Sequence, residues 1–449
     1  MIRLILWLGV LCHPVHALGF ANGVKIGELT PNSVCIWTRT TEKNEAMNRV
    51  KNYAKGAPNW LVPGQAASTK FSIKELEEGE PAFTATRVTS AADDFCVQHT
   101  FRGLKPKTRY EVVVHATAFP DQELNSEASH TIQFTTAPEF SSELPVSFTV
   151  STCQEFNLRD DLENGHRIYA SMLKLNPDFF IQTGDTLYYD RGKPYAKRID
   201  TARYKWNRLY SLPNFRKFHD RIPTYWMHDD HDMLKNDCWP GQSYGDLSWD
   251  DGVKLWNEQI PQSDLPYRTF RWGKNFQIWL PEGRYYRSNN KMEDGPEKTI
   301  LGKEQWMWLE KSMRESDALF KAYVSATPVV GPDRKNKTDN HANEGFAHEG
   351  RKLRQLLSEI PGVFVINGDR HWQYHSIDQQ TGLAEFGCGP ASDSHAQGWS
   401  ERDKREEHQF VRNAGGFLSG KVSSSALEIT IHDVDGRPVF SKKLSPVAR

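Results

Sequence analysis

Four apolar runs in this chain end in side chains that bind metals, and this constrains the fold more than any other feature. Residues 146–152 run into Cys153 and residues 179–183 into Gly184-Asp185. Residues 223–227 run into His228-Asp229-Asp230-His231, and residues 363–366 lead to Gly368-Asp369-Arg370-His371. Apolar runs this short, bounded by turn residues, read as buried strands. Helical spacing falls between them, at 166–175 with Ile168, Met172 and Leu175 on one face, at 204–221, at 305–313 with Trp306, Leu309 and Met313 inward, and at 351–357. Alternating strands and helices predict an α/β layered domain, in which ligands gather beyond the carboxyl ends of the strands. A single Gly-Asp after a strand is an ordinary turn. Four such ends point to one shared metal centre.

The chain before residue 146 has a different texture. Strand-length runs at 33–39, 95–101, 110–116 and 130–136 are separated by turn residues, which predicts an all-β sandwich. Sandwich domains of this kind hold about 100 residues, so the excess is read as an insertion between 42 and 94. Pro138 to Pro145 (P-E-F-S-S-E-L-P) reads as a linker, and 426–431 with 439–443 as a terminal hairpin around Asp435-Gly436. With 449 residues, two or three domains are expected. The division is 1–17, 18–138, a linker at 139–145, and 146–449.

Residues 1–17 read as a signal peptide. Arg3 supplies a positive start, residues 2–12 read as an apolar run, and Val15-His16-Ala17 is a small-residue cleavage site. The run is too short to span a bilayer. The absence of a twin-Arg pair favours the general secretory route, so the expected location is secreted or periplasmic. No later segment is long and apolar enough to span. After cleavage five cysteines remain, Cys35, Cys96, Cys153, Cys238 and Cys388. In an oxidising compartment an odd number leaves at least one unpaired, and metal ligation is one way to protect a thiolate. Pairing of Cys35 with Cys96, or of Cys238 with Cys388, stays open. Lys and Arg total 56 against 57 Asp and Glu, which gives no support for a nucleic acid as a stable partner.

The candidate ligands suggest the metals. Cys153, Asp185, Tyr188 three residues further on, and His371 would give three anionic donors and one neutral one. A trivalent ion tolerates that set, and its mixed S/N/O character points to iron. Asp185, Asp230 and Asp369 offer only oxygen, which suits calcium, with magnesium or manganese as substitutes. Asp229 stays a candidate ligand, because adjacent acids leave open which one faces the metal. Such a centre attracts phosphate and activates a bound water. Arg284 and Arg370 are candidates to neutralise phosphoryl charge. His231 is a candidate to contact phosphate or protonate a leaving oxygen. Each has a plainer reading: a strand-edge ion pair for Arg284, solvent exposure for Arg370, an orienting role for His231. Tyr189, Trp239, His341 and Trp372 are candidates for the pocket wall or for the core.

These pieces together resemble the PhoD-like alkaline phosphatases of the metallophosphoesterase superfamily. The resemblance rests on S-T-C-Q at 151–154, G-D-T-L-Y at 184–188, D-D-H-D at 229–232 and F-R-W-G at 270–273. R-Y-Y-R-S at 284–288, L-G-K-E-Q-W-M-W-L at 301–309 and G-D-R-H at 368–371 complete it, and it covers nearly the whole chain. It implies a fibronectin type III-like sandwich before a catalytic α/β domain. It also implies export, hydrolysis of small-molecule phosphate mono- and diesters, and trivalent iron, Fe(3+), beside calcium, Ca(2+). By resemblance, Cys153, Asp185, Tyr188 and His371 match iron ligands, Asp185 bridges to calcium with Asp230 and Asp369, and Arg284 matches a phosphate-side arginine. Departures are Asp232 where the family often has Glu, and Glu282-Gly283-Arg284 where it usually has acidic-Thr-Arg. Purple acid phosphatases also place a sandwich first and use G-D-x-x-Y. They carry Asp in place of Cys153, G-N-H in place of D-D-H and G-H-x-H in place of G-D-R-H. A reading of another class is a secreted binding protein whose metal site is structural or degenerate. A monomer is the favoured oligomeric state.

Overall fold

The computed structural model describes residues 18–46, 62–77, 82–119, 126–263 and 265–447, so the leader expected at 1–17 lies outside the described residues. Two large mixed sheets make the centre. The first has nine strands, in the spatial order Pro438–Leu444, Leu427–His432, Phe417–Val422, Val146–Ser151, Phe179–Thr183, Thr224–Met227, Val24–Gly27, Ser33–Arg39 and Cys96–Arg102. The second has seven, in the order Arg268–Trp272, Phe276–Leu280, Phe320–Ser325, Val363–Asn367, Ala384–Cys388, Gln373–Ile377 and His408–Arg412. The strands that lead to the candidate ligands lie in the parallel middle of each sheet.

The sheets are joined by aromatic packing. Phe148 stacks on Phe276 with centroids 5.0 Å apart, and Phe179 on Trp272 at 4.5 Å. These side chains are fully buried, and each contributes about 2 kcal/mol by leaving water. Because the central strands are covered on both faces, they read as continuous apolar runs without alternation.

Helices cover the outer faces. Arg167–Leu175 buries Ile168, Tyr169 and Met172, while Leu175 is exposed. Leu175 was expected on the inward face, but the helix stops there: Asn176 takes the left-handed conformation at φ 48° and Pro177 follows. The helical stretch expected at 204–221 is two helices, Ile199–Tyr210 and Pro213–His219. Pro213 sets the second start, since the residue before a proline is pushed out of the helical region. Lys303–Glu315 turns Gln305, Leu309 and Met313 inward. No helix among the described residues is long and apolar enough to cross a membrane.

The N-terminal β region forms a four-stranded antiparallel sheet, Phe83–Val88, Ala67–Glu75, Arg109–Ala118 and Glu127–Thr135. Two of its strands come from the stretch read as an insertion. Ala67–Glu75 alternates inward and outward, with Ala67, Phe71 and Ile73 buried, so it is half of a packed layer. The other N-terminal strands continue the nine-stranded sheet, with Gly27 beside Thr224 in parallel register. The hydroxyl of Tyr110 accepts the backbone N–H of Lys105 at 2.9 Å, fixing the corner between them. All five described cysteines are unpaired and buried.

Candidate metal centre

Cys153, Asp185, Asp229 and Asp230 follow three neighbouring strands of the nine-stranded sheet, and Asp369 and His371 follow a central strand of the other. The centre therefore lies between two sheets and not along the rim of one. Three of the candidate ligands sit in left-handed backbone: Cys153 at φ 49°, Asp185 at φ 53° and Asp369 at φ 61°. That conformation costs a non-glycine residue on the order of 1–3 kcal/mol, and it turns each side chain back over its own strand end.

Close backbone contacts hold the loops. Gly184 is left-handed at φ 95°, and a Cβ there would lie 2.7 Å from the Cβ of Asp229. A Cβ at Gly368 would lie 2.4 Å from the Thr183 carbonyl. The glycine of each Gly-Asp pair is thus what lets two ligand loops touch. The Thr152 hydroxyl donates to the Gly184 carbonyl at 3.0 Å, and the Gln154 N–H donates to the Asp185 carbonyl at 3.0 Å. Asp232 ties two more segments, accepting the Leu187 N–H at 2.8 Å and the Asp229 N–H at 2.9 Å.

Two groups of side chains converge. The donor atoms of Cys153, Asp185 and His371 lie within 4.8 Å of one another, as do those of Asp185, Asp230 and His231. Asp185 belongs to both. Cys153 Sγ stands 3.3 Å from Asp185 Oδ2, which also receives the Tyr188 hydroxyl at 2.8 Å. The same hydroxyl is 3.5 Å from His371 Nε2. The four expected iron ligands are therefore together. Asp369 is paired with Arg370 across 2.7 Å, and its charge acts on Asp185, Asp229 and Cys153.

Burial dominates the electrostatics of the centre, and the neighbouring charges adjust it residue by residue. Burial pushes Asp185 up to about 7; His231 opposes this, and Asp230 and Asp369 add to it. Burial likewise raises Asp229 against the pull of Arg284, and raises Cys153 with help from Asp185 and Asp369. Asp230 goes the other way: its burial is outweighed by His231 and Arg284, which hold it well below the carboxylate range. Burial keeps His371 neutral, the form that binds a metal. Asp185 Oδ1 and Asp229 Oδ2 are buried without a hydrogen bond among the described residues. Buried carboxylate oxygens are costly unless a cation compensates them, and a thiol, a phenol, an imidazole and several acids make a suitable donor set.

The other sequence candidates divide. Arg284 is fully buried, and its Nε donates to Asp229 Oδ1 at 2.5 Å, so it is an ion pair within the centre. Arg370 is also enclosed, 2.8 Å from Asp333 Oδ2, and does not point to solvent. Its Nε and Nη1 have no hydrogen bond among the described residues. His231 is held through Nδ1 by Asp190 at 2.5 Å, its ring 4.3 Å from that of Tyr188. Tyr189 accepts the Trp206 indole N–H and is core, as is Trp372, while His341 is buried on Glu349. Trp239 is half-buried.

Sequence reasoning missed three supporting groups. Asp190 sits two residues beyond the G-D-T-L-Y run, and extending that motif would have found it. His395 packs its ring 4.0 Å from His371 and contacts the Cys153 carbonyl through Nδ1 at 3.0 Å. It lies on a short turn, Asp393–His395, after no ligand-bearing strand, so no sequence signal marked it. Lys205 Nζ is buried among the carbonyls of Tyr188 and Arg191, each at 2.5 Å.

The family model "PhoD-like phosphatase" matches residues 148–418, and "PhoD-like phosphatase, N-terminal domain" matches residues 13–150. Alkaline phosphatase D of Bacillus subtilis is 22% identical over 86% of this chain and 71% of its own length. Tartrate-resistant acid phosphatase type 5 of Homo sapiens is 21% identical over 66% of this chain and 87% of its own. The solved structure of PhoD covers 96% of this chain and 90% of its own, with TM-score 0.75 and 18% identity. A purple acid phosphatase from yellow lupin (Lupinus luteus) seeds covers 96% of this chain and 74% of its own, with TM-score 0.66 and 11% identity.

Proposed function

Since the chain belongs to the PhoD-like phosphatase family and is a phosphoric ester hydrolase, we propose that it is an exported alkaline phosphatase working through paired iron and calcium. Its substrates are small-molecule phosphomonoesters, phosphodiesters or both. The observation that carries the reading is Asp185, a single carboxylate shared by both groups of converging donors. Cys153, Asp185, Tyr188 and His371 would hold Fe(3+). Asp185, Asp230 and Asp369, with Asp229 adjoining, would hold Ca(2+), with magnesium or manganese as substitutes. When bound, the metals supply charge for the phosphoryl oxygens and an acidified water for in-line attack.

The chain's own groups do the rest. Arg284 fixes Asp229 and sets its oxygen toward the centre. Arg370 offers Nε and Nη1 to a phosphoryl oxygen while Asp333 and Asp369 hold its plane. His231, held through Nδ1 by Asp190, carries a proton toward the leaving oxygen.

The division into 18–138 and 146–449 is supported by two family models that meet at residues 148–150. A fibronectin type III-like sandwich is supported by the Tyr110 hydroxyl bonded to the backbone five residues upstream. The leader at 1–17 would send the protein to the secreted or periplasmic space by the general secretory route, as a monomer.

The test is hydrolysis of a chromogenic phosphomonoester and a phosphodiester at alkaline pH, with and without calcium, beside elemental analysis. Calcium-dependent turnover with bound iron supports the reading. Turnover indifferent to calcium would instead favour a purple-acid-type centre, which the likeness of fold to the lupin enzyme keeps in view. Metal-loaded protein that cleaves neither ester overturns it, and an empty or single-zinc site would point to the binding-protein alternative.

A further inference from the structure

The arginines argued for phosphate are enclosed. Arg284 and Arg370 are at most 2% exposed, and each is paired with acids. Their reach ends at the phosphoryl group and does not extend to whatever leads from it into solvent.

Arg191 is different. It is half-buried, and its guanidinium lies 5.7 Å from the centroid of the Tyr188 ring. Among the described residues its guanidinium makes no hydrogen bond and no ion pair. It is nevertheless close enough to the centre to feel the charges of Tyr188, Asp185, Asp190 and Glu155, and to act on His371 and His395.

Its backbone, by contrast, is fixed. The Lys205 ammonium donates to the Arg191 carbonyl at 2.5 Å and to the Tyr188 carbonyl at the same distance. Gly192 follows at φ 59°, where a Cβ would collide with the Asn157 amide. A guanidinium over the Tyr188 ring with no internal hydrogen-bond partner is available to an anion arriving from solvent, and its planar fork suits carboxylate or phosphate oxygens.

We propose that Arg191 is a substrate-binding residue that receives an anionic oxygen on the alcohol side of the ester, so that the enzyme favours esters whose alcohol carries its own negative charge. The inference rests on the hydrolase reading above. The phosphoryl group is met inside by the enclosed arginines and the metal ligands, and the part extending outward past Tyr188 meets Arg191.

The experiment compares phenyl phosphate with 4-carboxyphenyl phosphate on wild-type protein, Arg191→Ala and Arg191→Lys. The expected result is a KM for the carboxylated ester raised about tenfold in Arg191→Ala, with phenyl phosphate little changed and Arg191→Lys partly restoring the difference. Bound metal and melting temperature should match wild type in both variants. An equal change for the two esters, or none, overturns the assignment while leaving the hydrolase intact. Wild-type protein that cleaves neither ester overturns the hydrolase reading itself, and this inference with it.

Discussion

The Oδ2 atom of Asp185 receives the Tyr188 hydroxyl at 2.8 Å and stands 3.3 Å from Cys153 Sγ, so one carboxylate oxygen gathers a phenol and a thiol from two loops. Replacing Asp185 by Asn keeps the shape and removes the charge. Activity should fall by more than about a hundredfold, with bound metal lost, since ligands count for more than the groups that orient them. Turnover assays and elemental analysis on the same preparation check this.

Stability of the metal-free protein should move the other way. Burial raises Asp185 to about 7 in the folded chain, against about 3.9 in an unfolded one. A raised carboxylate contributes stability that is present at low pH and lost as pH rises through about 7. Metal-free Asp185→Asn should therefore melt at or above the metal-free wild type at pH 8, and the advantage should vanish near pH 4. A lower melting temperature for the variant at pH 8 would count against this electrostatic account.

Chelation exposes the same penalty. Removing metal at pH 8 should abolish activity and lower the melting temperature, because the unbonded buried oxygens of Asp185 and Asp229 lose their compensating charge. Adding back iron with calcium should restore both. Scanning calorimetry before and after chelation reads the change.

Asp232 holds two backbone N–H groups at once. Asp232→Ala leaves both buried and unpaired, at roughly 1–3 kcal/mol each. A loss of about 2–6 kcal/mol by urea unfolding is expected, with lower activity because the loops of Asp185 and Asp230 shift together.

Away from the centre, burial lowers His166 to about 3, with Arg159 adding, and lowers His375 to about 4. A depressed histidine contributes stability that is present above about pH 6.5 and lost as pH falls toward the folded value. The metal-free protein should lose on the order of 3 kcal/mol per histidine between pH 6.5 and 4. His375→Gln should flatten the slope in pH-dependent unfolding.

Much of this was legible because a buried parallel strand announces itself. Phe179–Thr183 falls at the bounds its sequence suggests, since an apolar run bounded by turn residues has few alternatives, and the antiparallel Ser33–Arg39 does so too. The hairpin Arg268–Trp272 with Phe276–Leu280 was not foreseen, since its charged and amide residues broke the apolar pattern. Ala67–Glu75 was hidden in a stretch whose length suggested an insertion, although its alternation was there to read.

What the sequence determined by itself was the donor chemistry: which strands end in sulfur, oxygen or nitrogen, and that a glycine precedes Asp185 and Asp369. It could not decide which sheet each strand joins. Strand pairing is a contact between distant segments, and the apolar runs of both sheets look alike because both are buried on two faces. Only the tertiary structure put Asp369 and His371 across from Cys153 and Asp185, brought His395 in from a turn, and enclosed Arg284 while leaving Arg191 at the edge. The fate of an arginine depends on which acids and how much solvent surround it, and those neighbours come from other parts of the chain.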